Sequence, residues 1–355
     1  MLRKAKIDWE LTILIAILTL FGLFVLRSAV YSENIEILFK KQIIWDIIGF
    51  SLFIGMIFFK FNFLLSFFPY LYFLSILMLI GLFFFGEEIS GAVRWYNLPV
   101  GSFQPSEFAK IAMIGFLAMI LKTKNFMSFI FSLLAVVLPA VLVIMEPDLG
   151  TSIVFFVIWF VMLWVASMNR KYLISVVIFL SILIPLFFFF GLKDYQRARI
   201  LSFLNPNEYR YDEAYHLIQS IRTVGSGGVS GRGYMQGPSN LYGYLPADHT
   251  DFIFAVLAEE FGFIGTISLI VLYLLLFFKI YRIFKRASFE EQKLITVGVF
   301  AMIAMHSIQN IGMNLGLLPI TGLPLPFFTY GGSSTIFFFM SLGLLHNIAT
   351  SNQRF

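Results

Sequence analysis

Long apolar segments recur along almost the whole of this sequence. Hydrophobic residues make up 59% of the 355 positions, and charged residues make up only 13%. An apolar segment of about 17 to 25 residues is long enough to cross a lipid bilayer as a helix. Within lipid every backbone N–H and C=O group has to be paired inside the protein, and a single segment of this length achieves that as a helix. The sequence therefore predicts an all-α polytopic membrane protein.

The apolar segments predict about ten transmembrane helices. They lie at 11–30, 43–60, 63–85, 107–122, 127–146, 150–167, 172–191, 252–279, 293–316 and 331–350. The sequence around 145–150 is compatible with a tight turn or with a break inside one longer apolar unit. Residues 1–355 are expected to form a single integral membrane domain, with 192–250 as a long extracytoplasmic loop between the seventh and eighth spans.

The distribution of basic residues favours one orientation in the membrane. When the N-terminus is cytoplasmic, most of the 25 Lys and Arg residues fall in segments that face the cytoplasm, as the positive-inside rule requires. Both termini are therefore predicted to be cytoplasmic, and 192–250 lies outside. Membrane topology explains the net charge of +5, so no nucleic acid partner is expected. The absence of cysteine excludes disulfides and thiolate chemistry.

Asp251 is the leading catalytic candidate. It stands where a glycine-rich polar segment meets a long apolar run, and an ionisable residue at a membrane boundary indicates function. Thr250 and Asp251 are also candidates to cap the helix that follows. Carboxylates that lie close together raise the pKa of one another, and a raised pKa suits a carboxylate to act as a general base. The same region holds further ionisable residues, namely Asp248, His249, Glu259 and Glu260.

Charged residues near the fourth span form a second candidate group. Ser106 is predicted to cap that helix, and Glu107 and Lys110 are spaced i, i+3, so that they lie on one helical face. They form either a neutralised ion pair or part of a polar pocket. Arg94 lies beside aromatic residues typical of the membrane interface and is a candidate ligand for a lipid phosphate or pyrophosphate.

The remaining polar segments suggest further elements of the site. The glycine-rich segment 225–233 is either a flexible linker or a nest of amides that binds an anion beside Arg232. Residues 212–224 predict an amphipathic helix lying on the outer leaflet. Asn310 and Asn314, followed by a segment rich in proline and glycine, indicate irregular backbone lining a cavity.

These segments, taken in order, resemble the SEDS family (shape, elongation, division and sporulation). The matching sequences are GAVRW at 91–95, QPSEFAK at 104–110, EPDLGT at 146–151, FLNP at 203–206, QS with GSGG at 219–228, YLPADHTDFIFAVLAEEFGFIG at 244–265 and NIGMNLGLLPITGLPLPFFTYGGSS at 310–334. The short termini favour the RodA-like branch over the FtsW-like one.

The resemblance implies the ten-span SEDS fold and a peptidoglycan glycosyltransferase of the bacterial cytoplasmic membrane. Such an enzyme polymerises lipid II outside the membrane, inverts the anomeric carbon and works with a class B penicillin-binding protein. The essential aspartate maps on Asp251. The family's outer salt-bridged pair maps on Glu107 and Lys110. Together with the residues singled out above, the predicted substrate-binding residues are Arg94, Glu107, Lys110, Asp148, Arg232 and His249. The resemblance leaves open whether a divalent cation, Mg²⁺ or Mn²⁺, takes part.

Three functional alternatives stay open at this point. One is a division-type polymerase, and another is a noncatalytic scaffold for a partner synthase, which only an assay of the purified chain for polymer distinguishes. The third is a lipid-linked-sugar flippase, which needs ionisable residues along a route through the membrane. His306 is the main candidate for such a residue, whereas the other polar residues gather at the outer side and favour the enzyme.

Overall fold

Helices account for most of the chain in the computed structural model, which describes residues 7–32, 35–89, 92–98, 101–190, 194–206, 208–209, 214–245 and 247–351. The helices are α1 Trp9–Ser32, α2 Glu36–Ile57, α3 Phe61–Phe85, α4 Pro105–Leu121, α5 Phe126–Met145, α6 Leu149–Val165, α7 Arg170–Phe190, α8 Asp194–Leu204, α9 Tyr215–Ser226, α10 Pro238–Leu241, α11 Ile253–Arg286, α12 Glu290–Asn314 and α13 Gly332–Ser351. Each predicted span coincides with one of these helices.

The apolar character of the helices confirms a multi-pass membrane protein. Within the described ranges, 6 helices are long and apolar enough to cross a membrane, and Leu149–Val165 is a shorter apolar helix. The number of ten spans stays a prediction. Residues 1–6 and 352–355 lie outside the described residues, so the sidedness of the two termini also stays a prediction.

A small antiparallel sheet between α3 and α4 departs from the all-helical prediction. Its strands are β1 Glu87–Ile89, β2 Ala92–Leu98 and β3 Gly101–Phe103, in the order β1-β2-β3. Trp95 lies opposite Glu87, and Tyr96 lies opposite Phe103. The valine and aromatic residues of β2 favour a strand, and this signal in the sequence could have predicted it. The sheet places Arg94 at the end of the bundle that also carries Asp251, called the site end below.

Close contact between α2 and α13 depends on small residues. A Cβ atom at Gly343 would lie 3.0 Å from the Cα of Phe53, and a Cβ atom at Gly49 would meet the ring of Phe339. Glycine at these positions allows the two helices to approach closely, as small residues do in membrane helix packing. Helices α2 and α13 run side by side from the site end, where Gln42 contacts Thr335, to the opposite end of the bundle, where Asn347 contacts Met56.

The segment 214–245 packs against the bundle, and α11 is broken where it does so. At Gly262 the backbone takes φ 63° and ψ −157°, which is not helical. The amides of Arg232 and Gly233 donate to the carbonyls of Glu259 and Glu260, at 2.8 and 3.0 Å. The amide of Phe263 donates to the carbonyl of Gly228 at 2.9 Å. A break in a helix leaves backbone N–H and C=O groups without partners in that helix. The glycine-rich segment supplies the missing hydrogen-bond partners.

The amphipathic helix predicted in this segment is present as α9. Its buried residues Leu217, Ser220 and Thr223 face the protein. The hydroxyl of Ser220 donates to the Asn314 carbonyl at 3.1 Å. Ile221, on the predicted apolar face, is exposed, and the position of this helix on the outer leaflet stays a prediction.

Gly262→Ala should destabilise the fold by at least about 2 kcal/mol, because this backbone conformation is open essentially only to glycine. A Cβ atom there would also lie 2.6 Å from the Val229 carbonyl and would clash with the Gly231 amide. Gly55→Ala is the matched control, since a Cβ atom at Gly55 meets nothing within 4 Å, and it should be neutral or stabilising. Thermal unfolding in detergent measures both. Equal melting temperatures for the two variants would contradict this account of the break.

Candidate active site

Asp251 lies in a tight turn that precedes α11. The amide of Thr250 donates to the Ala247 carbonyl at 3.1 Å. The helix begins at Ile253, its N-cap residue is Phe252, and no side chain caps it. The predicted capping role of Thr250 or Asp251 is therefore wrong, since both residues precede the N-cap position.

Two asparagines of α12 hold the main chain of Asp251. The side-chain amides of Asn310 and Asn314 donate to the Asp251 carbonyl, at 3.2 and 3.0 Å. Both asparagines are fully buried, and a buried amide is costly unless its donors are paired. They fix the backbone position of the candidate catalytic residue. Their predicted role in lining a cavity stays a prediction.

The same face of α12 holds the irregular segment 319–326. Gln309 donates to the Pro319 carbonyl at 2.7 Å, and Asn310 donates to the Leu323 carbonyl at 2.9 Å. Within this segment Gly322 has φ 72°, and a Cβ atom there would lie 3.7 Å from Oδ2 of Asp251. The irregular backbone predicted here thus lies against protein and runs beside the Asp251 carboxylate.

Lys110 and Glu107 form the predicted ion pair. Nζ of Lys110 lies 2.7 Å from Oε1 of Glu107 and 2.8 Å from Nε2 of His306. Lys110 is completely buried. Nδ1 of His306 lies 3.2 Å from the Pro324 carbonyl, which accepts only, so Nδ1 carries the proton and Nε2 accepts from the ammonium.

His306 therefore belongs to the Glu107–Lys110 group and joins it to the segment beside Asp251. This contact was not predicted from the sequence, although His306 and Asn310 are spaced i, i+4 and share a helical face. A second correction concerns the start of α4. Its N-cap residue is Gln104, with Pro105 in the first turn, so Ser106 is not the cap.

The guanidinium of Arg94 contacts the residues that connect α5 to α6. Its Nε donates to the Glu146 carbonyl at 3.1 Å, and its Nη2 donates to the Pro147 carbonyl. Nη1 lies 3.8 Å from Oδ2 of Asp148. The guanidinium thus fastens β2 to this turn, which separates α5 from α6. The predicted orientation of Arg94 towards lipid headgroups differs from this arrangement.

Asp148 and Glu146 have different environments within that turn. Asp148 caps α6 by accepting from the amide and the hydroxyl of Thr151, at 3.0 and 2.9 Å. Oε1 of Glu146 is buried and has no hydrogen-bond partner among the described residues. Burial, and then repulsion from Asp148, raise the pKa of Glu146 to about 9, against a smaller lowering effect of Arg94. Glu146 is therefore protonated at neutral pH.

The acidic residues of α11 hold other parts of the fold. Glu259 accepts from the hydroxyls of Ser226 and Ser239, at 2.9 and 2.8 Å, and from the Ser239 amide. Ser28 donates to Glu260. The two carboxylates thus hold the segment 226–239 and α1, and their effect on Asp251 stays a prediction.

The predicted anion nest is also arranged differently. The amides of Gly231, Arg232 and Gly233 already donate to backbone carbonyls, so they do not converge on a free anion site. The Arg232 side chain is exposed beside the break in α11, and its role in substrate binding stays a prediction.

His249 links the turn that carries Asp251, called the catalytic turn for its candidate residue, to the rest of the fold. Its Nδ1 lies 3.2 Å from Oδ1 of Asp248, and its carbonyl accepts from the Tyr330 amide at 3.1 Å. The predicted residues thus lie in two separate groups in the structure. The first consists of Glu107 and Lys110, joined through His306 to the Asp251 region, and the second consists of Arg94 and Asp148.

The arrangement of acidic and histidine side chains does not favour a metal site. Among the described residues no group of three or more His, Cys, Asp or Glu side chains is placed to hold a metal ion.

Comparison with known proteins shows the family. Residues 8–354 match the family described as cell cycle protein, which groups FtsW, RodA and SpoVE. The chain belongs to this family, the SEDS family that its motifs resemble. It is 36% identical over 289 residues to peptidoglycan glycosyltransferase MrdB of Escherichia coli (strain K12), which covers 80% of this chain and 78% of that protein.

Two solved structures have the same fold. One is a chain from a peptidoglycan synthase complex studied for its coordination of polymerization and crosslinking. It has a TM-score of 0.85 and 28% identity, covering 98% of this chain and 99% of that chain. The other is the rod shape determining protein RodA of Thermus thermophilus, with a TM-score of 0.75 and 27% identity, covering 98% of each chain. The ordered motifs thus identified both family and fold correctly.

The protonated state of Glu146 predicts how stability depends on pH. The native pKa of about 9 exceeds the ordinary value of 4.5, so the folded state binds the proton more tightly and stability falls as pH rises between these values. Glu146→Gln mimics the neutral carboxyl and should reduce this alkaline loss. Thermal unfolding in detergent from about pH 5 to about pH 9 measures it.

Glu290→Gln is the control for this experiment. A hydrogen bond from Lys293 lowers the pKa of Glu290, so its contribution is lost at acid pH and not at alkaline pH. An alkaline loss that is the same in wild type and Glu146→Gln would show that Glu146 is ionised in the native protein.

Proposed function

We propose that this chain polymerises lipid II into peptidoglycan glycan strands at the outer face of the bacterial cytoplasmic membrane. The observation that carries the proposal is the position of Asp251. Its main chain is held by Asn310 and Asn314 of α12, the helix whose His306 contacts the buried Glu107–Lys110 pair. The relatives named as peptidoglycan glycosyltransferases support the same reaction. The proposed cellular role is cell elongation and rod shape, as in the RodA-like branch.

The proposed reaction needs one base and a stabilised leaving group. The 4-hydroxyl oxygen of the acceptor's terminal sugar attacks the anomeric carbon of a polyprenyl-pyrophosphate-linked glycan. A new glycosidic C–O bond forms with inversion, and the bond from that carbon to the pyrophosphate oxygen breaks with its electron pair. Asp251 accepts the hydroxyl proton, and general base catalysis of this kind contributes about a hundredfold or more to the rate.

The other site residues support the substrate in this proposal. Lys110 and Arg94 offset the negative charge that develops on the leaving pyrophosphate. Lys110 is completely buried and Arg94 is bound to the α5–α6 turn, so we assign both an effect through the local field. Glu107 orients Lys110. Within the proposal three further residues contact the substrate, namely Asp148, Arg232 and His249.

The proposed partner is a class B penicillin-binding protein, a transpeptidase that crosslinks the new strand. A chain of similar structure occurs in a peptidoglycan synthase complex that coordinates polymerization and crosslinking, which supports such a partner. The energy of the reaction resides in the lipid pyrophosphate bond, because no nucleotide-sugar donor is available outside the cell. The proposal therefore requires an extracytoplasmic active site and cytoplasmic termini.

Asp251→Asn should abolish polymerisation while the protein still folds, because the amide preserves the shape of the side chain and loses the proton acceptor. Purified protein, alone and with its partner, is assayed for glycan polymer from lipid II. Glu10→Gln is a control at a half-exposed ion pair with Lys279 and Arg282, and it should remain active. Full activity of Asp251→Asn would exclude the base, and absence of polymer with the wild type would overturn the proposed function.

Single cysteines test which side of the membrane holds the site. The chain has no cysteine, so Tyr242→Cys and Ser288→Cys each provide one thiol, at positions that are exposed in the structure. An impermeant thiol reagent should label Tyr242→Cys in intact cells and should label Ser288→Cys only after lysis. The reverse pattern would invert the topology and exclude an extracytoplasmic reaction.

A further inference from the structure

The segment 330–335, which we call the strap, joins the catalytic turn to two other parts of the fold. The Tyr330 amide donates to the His249 carbonyl at 3.1 Å, two residues before Asp251. Further along the strap, Oγ of Ser333 accepts from the Gln104 amide at 3.0 Å. Gln104 is the N-cap residue of α4, the helix that carries Glu107 and Lys110. The strap therefore connects both halves of the proposed site through short polar contacts.

A single buried side chain of α2 fixes the strap. Oε1 of Gln42 accepts from the Gly331 amide at 3.0 Å. Nε2 of Gln42 donates to Oγ1 of Thr335 at 2.9 Å and to Oδ1 of Asp46 at 3.2 Å. Gln42 is buried, and both of its amide hydrogens and its carbonyl oxygen are used. A fully satisfied buried polar group specifies one arrangement of the groups around it.

Aromatic packing holds the strap at the same place. A Cβ atom at Gly332 would lie 2.8 Å from Nε1 of Trp45, and a Cβ atom at Gly101 would lie 2.8 Å from Cζ2 of the same ring. Trp45 thus lies between the strap and the start of β3. The indole packs closely on two glycines, so the strap cannot shift towards α2 without displacing this ring.

We propose that Gln42 is a positioning residue for the glycosyl transfer reaction, acting through the strap on the turn that carries Asp251. Gln42 fixes Gly331, the neighbouring Tyr330 amide holds the His249 carbonyl, and Asp251 follows two residues later. Loss of the Gln42 contact would release this side of the turn while leaving the Asn310 and Asn314 contacts in place. The inference rests on the proposed function, whereas its hydrogen-exchange test does not depend on enzymatic activity.

The activity test uses Gln42→Leu. Polymerisation of lipid II should fall at least tenfold in kcat, with KM within about twofold of the wild type, because the base is misplaced and the substrate contacts remain. A misplacement of about 1 Å near a reacting group has an effect of this size. Wild-type kcat for Gln42→Leu would overturn the proposal.

Asn347→Leu is the matched control, because Asn347 ties the same two helices together at their other ends. Its Nδ2 donates to the carbonyls of Met56 and Phe59, at 2.8 and 2.7 Å, and it is fully buried. This variant removes a comparable buried amide and should keep kcat within about threefold of the wild type. An equal loss in both variants would show that Gln42 acts only on helix packing.

An exchange variant tests the contact itself. In Gln42→Glu with Asp46→Asn, the carboxylate and the amide trade places, and an acceptor for the Gly331 amide remains at position 42. This double variant should recover most of the activity that Gln42→Leu loses. Activity as low as that of Gln42→Leu would contradict a role for the Gly331 contact.

Hydrogen exchange gives a readout that does not depend on enzymatic activity. In Gln42→Leu, amide exchange should accelerate in the strap and in residues 247–252, and it should stay unchanged in Asn347→Leu. Acceleration confined to the strap would overturn the proposed link to the catalytic turn. If the wild-type chain forms no polymer, the proposed function fails, and this experiment still decides whether Gln42 holds the turn.

Discussion

One polar face of α12 organises the site end of an otherwise apolar bundle. His306, Asn310 and Asn314 are spaced four residues apart, so their side chains lie along the same face. In a low-dielectric interior each of these groups has to be paired. The pairs they form are with Lys110, with the carbonyls of the 319–326 segment and with the carbonyl of Asp251. The positions of the ion pair, the irregular segment and the candidate base all follow from this requirement.

The same contacts give the main chain and the side chain of Asp251 different roles. Its main-chain carbonyl is bound by two asparagine side chains, whereas a capping role would have used its carboxylate at the start of α11. Because the N-cap residue of α11 is Phe252 and the helix has no side-chain cap, the backbone is fixed without using the carboxylate as a cap. A preorganised backbone lowers the cost of placing a base in the transition state.

Sequence patterns predicted the helices well because membrane insertion is decided by long apolar runs. The i, i+3 spacing also predicted the Glu107–Lys110 pair. Contacts distant in sequence were not accessible in this way. The Lys110–His306 bond joins residues 196 positions apart, and the direction of Arg94 depends on a small sheet whose strands are only 3 to 7 residues long. The shared face of His306 and Asn310 was visible in the sequence and predicts part of this network.

The turn that carries Asp251 is held at two of its own backbone carbonyls, from two sides. α12 binds the carbonyl of Asp251, and the strap binds the carbonyl of His249. A loop fixed at one carbonyl still rotates about that point, whereas a loop fixed at two carbonyls two residues apart keeps its orientation. Catalytic groups on loops usually need support from rigid elements. In this fold α2 and α12 supply it through amide side chains, because buried amides bind backbone carbonyls and amides without introducing a further charge beside Asp251.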